Sequence, residues 1–286
     1  MRLAVRSVLD DGRQKIALAG ERFVVVGRVR HPRAGERVVV RFFHAGTELR
    51  RRRIAVTPAA RKGEGRFELR FSTPTRGRLR IVASRAPETA RGRTSLRLLV
   101  AGPQLGPRSA GPLVAGLQRR LAGLRYSVRP TGVYDRATGF AVLAFRGVNR
   151  LPASDRADAR VLSMLARGRG RFGPRFPRHG RHVEADLSRR ALALLDGQRV
   201  VRVLHTSPGR RVTPTVLGSY RFYRRQFGRN SSGMLHSTYF HRGYAVHGYS
   251  FVPQFPDSHG CLRIPNADAL FVYRWIRIGD PIDVYR

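Results

Sequence analysis

One cysteine, Cys261, occurs in a chain of 286 residues. An internal disulfide is thereby excluded, and a thiolate-anchored structural zinc site lacks its second anchor. Lysine is almost missing as well: Lys15 and Lys62 are the only two, so nearly all of the 56 basic residues are arginine. Acidic residues number only 18, which leaves a formal charge of +38. No apolar run approaches the about 18 residues that a membrane-crossing helix needs, so no transmembrane segment is expected. The stretch from Met1 to Lys15 is too charged for the apolar core of a secretory signal, and no export signal is visible. No zinc-finger, RNP or basic-zipper pattern is present, which argues against a dedicated nucleic-acid binder.

What is abundant is positive charge, and it is spread unevenly. Residues 1–100 carry net +17, residues 101–180 net +12 and residues 181–286 net +9. The excess is mildest where the cysteine lies. A polyanion is a plausible partner of the whole molecule, an anionic wall polymer or a nucleic acid, and charge alone does not choose between them.

Residues 20–100 contain short runs rich in Val, Phe, Leu and Ile: Phe23–Arg30, Glu36–Phe43, Phe67–Phe71, Arg78–Ala83 and Thr94–Val100. Pro32, Gly35, Gly46, Gly63, Pro74 and Gly77 punctuate them, the pattern of an all-β sandwich of immunoglobulin-like type. A Gly/Pro-rich linker over Ala101–Ala110 follows. The period then becomes helical. Val114, Leu117, Leu121 and Leu124 share a face; Asp135 is placed to cap a second helix, and Ser154 a third bearing Ala157, Val161 and Leu165. Arg167 to Arg181 is basic and rich in Gly and Pro, and reads as an extended tether. Beyond it, Asp196-Gly197 between two apolar runs signals a hairpin. Asn266 is expected to cap a helix with Ala267, Leu270, Phe271, Trp275 and Ile278 on one face, before a closing strand Pro281–Tyr285. Trp275 reads as core, and His205, His236 and His241 as surface or loop histidines.

The segment Leu117-Gln118, Leu121, Tyr126, Thr131-Gly132-Val133-Tyr134-Asp135, Thr138, Ala141 and Phe145 resembles the bacterial peptidoglycan-binding three-helix domain over residues 111–168. Arg146 stands where that family usually has glutamine. The expected architecture is therefore mainly β and multidomain: a β-sandwich module over 1–100, the helical unit over 111–168, and a mostly-β domain over 182–286 that holds the cysteine.

Chemistry concentrates in Ser258-His259-Gly260-Cys261-Leu262-Arg263, with His247-Gly248 lying 14 positions before the cysteine. A cysteine bracketed by glycine and histidine is what nucleophilic acyl transfer requires: a thiolate attacks, an imidazole moves the proton, and small residues let backbone N–H groups reach the oxyanion. An imidazolium beside Cys261 would raise its thiolate fraction, which favours His247 as base. Gly248 has no side chain, so its carbonyl is the natural acceptor for the second ring nitrogen of His247. Backbone N–H groups around His259, Gly260 and Cys261 would form the oxyanion site. Ser258 reads as a local loop hydrogen bonder, and Arg263 as either a substrate-carboxylate contact or a loop-fixing donor. His259 would line the pocket or buttress the loop. A zinc site from His247, His259 and Cys261 is conceivable, but the glycine flanks, the spacing and the lack of a carboxylate base favour a thiol enzyme without metal or other cofactor.

Together, His247-Gly248 and Ser258 to Arg263 resemble the active-site signature of the L,D-transpeptidases, the YkuD-type cell-wall enzymes. The likeness runs through 182–286 and takes in Thr213-Pro214-Thr215, Met234 and Tyr239-Phe240. It implies Cys261 as nucleophile, His247 as general base, Gly248 as its orienter and His259 in support. It places Met234 and Tyr239 at the substrate and a lid between Thr215 and Tyr244. The implied reaction is 3→3 cross-linking of peptidoglycan peptide stems through a thioester, with water as acceptor giving L,D-carboxypeptidase activity instead. It further implies acylation of Cys261 by carbapenems and a location outside the cytoplasm, at the cell wall or in the periplasm. Two other classes remain: a wall-binding protein without enzymatic activity, and a nucleic-acid binder.

Overall fold

The computed structural model describes residues 1–87 and 92–286. The chain divides into two compact units, one of Met1–Gln104, Ala110–Arg120 and Asp158–Arg169, the other of Leu105–Ser109, Leu121–Ala157 and Gly170–Arg286. Mainly β architecture is observed, as the sequence leads one to expect.

The first unit carries β1 (Arg2–Arg6), β2 (Leu9–Asp10), β3 (Lys15–Leu18), β4 (Phe23–Arg30), β5 (Arg37–His44), β6 (Thr47–Ala55), β7 (Thr57–Pro58), β8 (Glu64–Phe71), β9 (Gly77–Arg85) and β10 (Thr94–Ala101). They form two sheets, β1-β4-β8-β7 and β2-β3-β10-β9-β5-β6. Strand β4 shows why: Phe23, Val25 and Val29 are buried while Arg28 and Arg30 are exposed, the period of two that a half-buried strand needs. Their partners across the core are Val38, Val40 and Phe42 of β5 and Ile81 of β9. Phe42 stacks on Phe71 with ring centroids 3.7 Å apart. Each such side chain contributes roughly 1.5–3 kcal/mol by leaving water. Strand β6 escapes the sequence pattern. It is the edge of the six-stranded sheet, exposed nearly throughout, and its Arg50–Arg53 run carries no apolar alternation.

Helix α1 (Pro112–Gly123) precedes α2 (Arg136–Val148) and α3 (Ala159–Ala166). Asp135 caps α2, its Oδ1 accepting from the Thr138 N–H at 2.8 Å. The cap of α3 is Asp158, accepting from Val161 N–H at 3.0 Å, rather than Ser154. The expected helix start was four residues early because two capping residues lie close together and the hydrophobic period alone does not choose between them. The helices are shared out between the units: α3 belongs to the first, where Ser163 Oγ donates to Glu21 at 3.0 Å, and α2 to the second.

The second unit adds β11 (Arg181–Asp186), β12 (Ala191–Asp196), β13 (Arg199–His205), β14 (Gly218–Arg221), β15 (Arg224–Arg229), β16 (Leu235–His241), β17 (Tyr244–Tyr249), β18 (Leu262–Pro265), α4 (Asn266–Trp275) and β19 (Pro281–Tyr285). One sheet runs β13-β12-β11-β19-β14 and the other β15-β16-β17-β18. Val183, Leu192, Leu194 and Ile282 of the first join Phe240, Val246, Leu262 and Ile264 of the second, with Val272 of α4, in one core. Helix α2 packs on β12 and β13. At Gly147 the approach is so close that a Cβ would lie 1.9 Å from the Arg189 carbonyl oxygen.

Three sequence expectations change here. The 167–181 stretch is not a free tether from Phe172 onward: Phe172 is buried, and the N–H groups of Arg175 and Phe176 both donate to Glu184 at 2.8 Å. Glu184 is fully buried and must be satisfied, and it also takes the Tyr285 hydroxyl at 2.7 Å. Asn266 begins α4 but does not cap it; Pro265 occupies the cap position without a side-chain bond, and Ile278 lies beyond the helix, exposed. His205 is buried rather than superficial, with Nε2 donating to the Pro253 carbonyl at 2.8 Å. Trp275 is half-buried against the core with the Arg181 guanidinium 4.7 Å above its ring.

Candidate active site

Strands β17 and β18 run parallel, with Val246 opposite Leu262 and His247 opposite Arg263. Val246 and Leu262 point into the core. Alternation therefore turns His247 and Arg263 to the other face of the sheet. Cys261, one residue before β18, stands level with Ala245, whose partner on β16 is Tyr239 and beyond it Arg224 on β15. One row of the sheet thus reads Arg224, Tyr239 and Ala245, with Cys261 in the turn at its end, and the next position along carries His247 and Arg263.

His247 is buried, 3 % exposed, with Nδ1 2.9 Å from the Gly248 carbonyl. A carbonyl only accepts, so Nδ1 holds the proton and Nε2 keeps its lone pair. The ring meets Tyr249 edge-on at 5.7 Å. Cys261 is half-buried, and its thiol donates to the Gly243 carbonyl at 3.7 Å. Burial pushes the Cys261 thiol up from its ordinary value of 9.0, against weaker opposing pulls from the Ala245 backbone and Arg263. Burial also pushes His247 down to about 4, with the Gly248 carbonyl resisting and Arg263 reinforcing the shift. Burial thus favours the neutral thiol and imidazole over the thiolate–imidazolium ion pair expected from the sequence. The expectation weighed the charge partner alone; desolvation of both groups outweighs it.

The turn that carries the cysteine is built by its own side chains. Ser258 is buried; its hydroxyl donates to the Cys261 carbonyl at 2.5 Å and accepts the Gly260 N–H at 3.0 Å. That second bond removes Gly260 from the set of expected oxyanion donors. Gly260 has φ +115°, and a Cβ there would lie 2.1 Å from the Tyr244 ring, so no other residue fits. Arg263 closes the turn from the far side, its guanidinium 2.6 Å from Asp257 and 4.3 Å over Tyr249. Of the two roles open to Arg263 in the sequence, the ion pair favours loop fixing.

A second loop grips the first. The Pro208 carbonyl accepts the N–H groups of Asp257 and Ser258, both at 3.0 Å, while the Ser258 carbonyl accepts from Arg210 N–H and Thr213 Oγ1, also at 3.0 Å. Thr215 Oγ1 accepts from Gly209 N–H at 2.8 Å. His259 is exposed, and Arg210 donates to its Nε2 at 2.8 Å. An arginine cannot accept, so this bond fixes His259 as the Nδ1–H tautomer. Tyr239 is buried, with its hydroxyl on Gln226 at 3.0 Å and Arg224 3.9 Å from its ring. Met234 is half-buried in the turn before β16, next to Leu235, whose strand partner is Gly248. The segment expected to form a lid is largely sheet: β14 pairs with β19, and β15 pairs with β16 as a hairpin whose Phe227 is 69 % exposed.

Sequence reasoning missed Arg210, Tyr244 and Tyr249. Tyr249 lies two positions after His247 on a strand and was findable by alternation. Arg210 and Tyr244 carried no local signal, because their roles arise from loops that meet only in the fold. Among the described residues no cluster of three metal-ligating side chains occurs.

The model of the YkuD family, the L,D-transpeptidase catalytic domain, matches residues 180–284. A solved L,D-transpeptidase (residues 123–326) from Xylanimonas cellulosilytica DSM 15894 is 33 % identical, covering 65 % of this chain and 98 % of its own, with a TM-score of 0.60. The chain belongs to the L,D-transpeptidase family. An L,D-transpeptidase (Yku) from Stackebrandtia nassauensis covers the same shares at 19 % identity and a TM-score of 0.40. No curated protein is a significant match. Membership makes this an acyltransferase-type enzyme of a family that acts on peptidoglycan stems. No helix among the described residues is long and apolar enough to cross a membrane.

Proposed function

We propose that this L,D-transpeptidase forms 3→3 cross-links between peptidoglycan peptide stems at the cell wall, with Cys261 as nucleophile. The observation that supports the reading is the placement of Cys261 at the entrance to β18, beside the start of the parallel strand β17 that carries His247, with the Gly248 carbonyl on Nδ1 leaving Nε2 as a base. As Sγ bonds to the carbonyl carbon of the third stem residue, Nε2 of His247 takes the thiol proton. The tetrahedral intermediate collapses with cleavage of the amide bond, and His247 returns the proton to the departing D-alanine amine. The side-chain amine of the third residue of a second stem then attacks the thioester, gives its proton to His247 and displaces the sulfur, which is reprotonated. Backbone N–H groups of His259 and Cys261 serve the oxyanion; each such donor contributes on the order of 3 kcal/mol to lowering the barrier. Tyr239, in the row that ends at Cys261, and Met234 at the His247 end line the stem. Gly260, Ser258 and Arg263 hold the turn.

Purified muropeptides incubated with wild type and Cys261→Ala test this by mass spectrometry. Wild type should yield dimers lacking one terminal D-alanine, and the variant none. Trimmed monomers without dimers would make it an L,D-carboxypeptidase. Intact-protein mass after carbapenem exposure should show an adduct on wild type and none on Cys261→Ala. No product and no adduct on wild type would leave a wall-binding protein. The charge of +38 fits anionic wall polymers as a second partner.

A further inference from the structure

The outer face of the four-stranded sheet in the first unit holds an arrangement the transpeptidase reaction does not use. Arg2 of β1 stands directly opposite Arg28 of β4, and Arg28 directly opposite Arg66 of β8. All three are exposed, while Val25, Val29 and Phe67 on the other face are buried. Strands lie about 4.8 Å apart, so three arginine positions share one row about 10 Å across. Arg30 and Arg61 stand beside them, and Arg2, Arg28, Arg30, Arg61, Met1 and Glu64 line a cleft of about 270 Å³. Glu64 is the one carboxylate of that lining and sits 4.0 Å from Arg61. The next acid on the face, Glu68, is paired with Arg6.

Like charges placed opposite each other on a sheet face destabilise it. Four arginines lining the cleft with one glutamate, and Arg66 continuing their row, therefore cost the free protein stability that an anion would restore. Arginine suits phosphate in particular, because its planar fork donates two parallel bonds to the oxygens. Along β4, Arg28 and Arg30 repeat at about 6.8 Å, on the scale of successive phosphates in a single extended chain. No aromatic side chain lines the cleft, so there is no platform on which bases could stack. The exposed large apolar residues of the described chain lie elsewhere, which leaves nothing on this face to insert into a lipid surface.

We propose that this cleft binds successive phosphates of a linear, base-free phosphodiester polymer, anchoring the protein to anionic polymer of the wall. The cleft itself stands independently of the enzyme reading; the choice of the wall as the polymer's source rests on it.

The test uses the full chain with poly(glycerol phosphate) as probe, titrated over a series of salt concentrations. The triple variant Arg2→Gln/Arg28→Gln/Arg66→Gln should bind about tenfold more weakly, with a log–log salt slope lower by about 2. A charge-matched control, Arg160→Gln/Arg171→Gln/Arg178→Gln, should stay within about twofold of wild type. Denaturant unfolding should find the first variant at least as stable as wild type, since like-charge crowding is relieved, so lost binding is not lost folding. Carbapenem adduct formation at Cys261 should be the same in all three proteins and reports on the enzyme reading separately. Equal losses in both triples would overturn the cleft in favour of diffuse charge. Tighter binding to single-stranded DNA or to anionic vesicles than to the polymer would overturn the assigned occupant.

Discussion

Burial of both Cys261 and His247 bears on how the proposed reaction would run. A thiol raised above 9.0 and an imidazole lowered to about 4 share no stable ion pair in the free protein, so proton transfer accompanies attack on a bound acyl group. The pH profile of kcat/KM should then fall only as His247 protonates, near pH 4, and run flat from there past neutrality. Alkylation by iodoacetamide should be slow at pH 7 and climb above pH 9, because only the thiolate reacts with it. Fast alkylation at pH 6 would show an ion pair and contradict this. Gly260 gives a second residue-level prediction. Alanine there meets both a left-handed backbone and the Tyr244 ring, so Gly260→Ala should lower carbapenem acylation at least about 100-fold through a displaced turn. Gly260→Ala combined with Tyr244→Ala removes the ring but not the φ of +115°, and should recover only part of the rate.

Elements are held to each other by approaches that allow little substitution, and α2 is the clearest case. Gly147 lies against the Arg189 carbonyl, so Gly147→Ala must lift the helix from the β11–β12 turn at a cost of about 3 kcal/mol in chemical denaturation. Gly139, on the same helix, would place its Cβ at an ordinary 3.5 Å from Asp155, and Gly139→Ala should stabilise by about 0.5–1 kcal/mol. Equal effects of the two would refute the packing argument. The contrast also marks what a sequence discloses. Strands β4 and β19, the Asp196-Gly197 hairpin and the Asp135 cap could be read because each is set by local pattern or local hydrogen bonding. So could Cys261, His247 and Gly260, whose spacing on adjoining strands is part of a compact motif. Strand β6, an all-exposed edge, and the docking of 172–176 onto Glu184 depend on partners distant in sequence and left no periodic trace. The neutral Cys261–His247 pair was hidden for the same reason: desolvation is a property of the closed fold.

Over the whole molecule, acid sensitivity should concentrate in the catalytic unit. His205 and His247 are each held down to about 4 by burial, against 6.5 for the ordinary group. Above 6.5 both states are neutral; as pH falls from 6.5 towards 4 the unfolded chain takes up protons that the folded one refuses, so stability drops across that window. Each group accounts for about 3 kcal/mol over the full range. The buried His182–Glu184 pair works the other way. Desolvation opposes both shifts, but the mutual hydrogen bond together with the Gly180 carbonyl on His182 and the Phe176, Arg175 and Tyr285 donors on Glu184 outweighs it, so His182 is raised and Glu184 lowered. The His182 contribution is complete below 6.5 and fades as pH rises through its folded value; that of Glu184 is complete above 4.5 and fades on acidification. Between 4.5 and 6.5 the pair therefore supports the fold and opposes the loss from the two neutral histidines. Trp275, the only tryptophan, packs on the core of this unit and reports its unfolding without interference from the sandwich. Urea titrations followed by its fluorescence should show stability falling by several kcal/mol from pH 7 to pH 4.5. His205→Gln keeps a donor for the Pro253 carbonyl and removes the titration, and should cut that fall by at least half. A flat profile over the same range, or an identical slope in His205→Gln, would mean that these imidazoles are solvated enough to protonate in place.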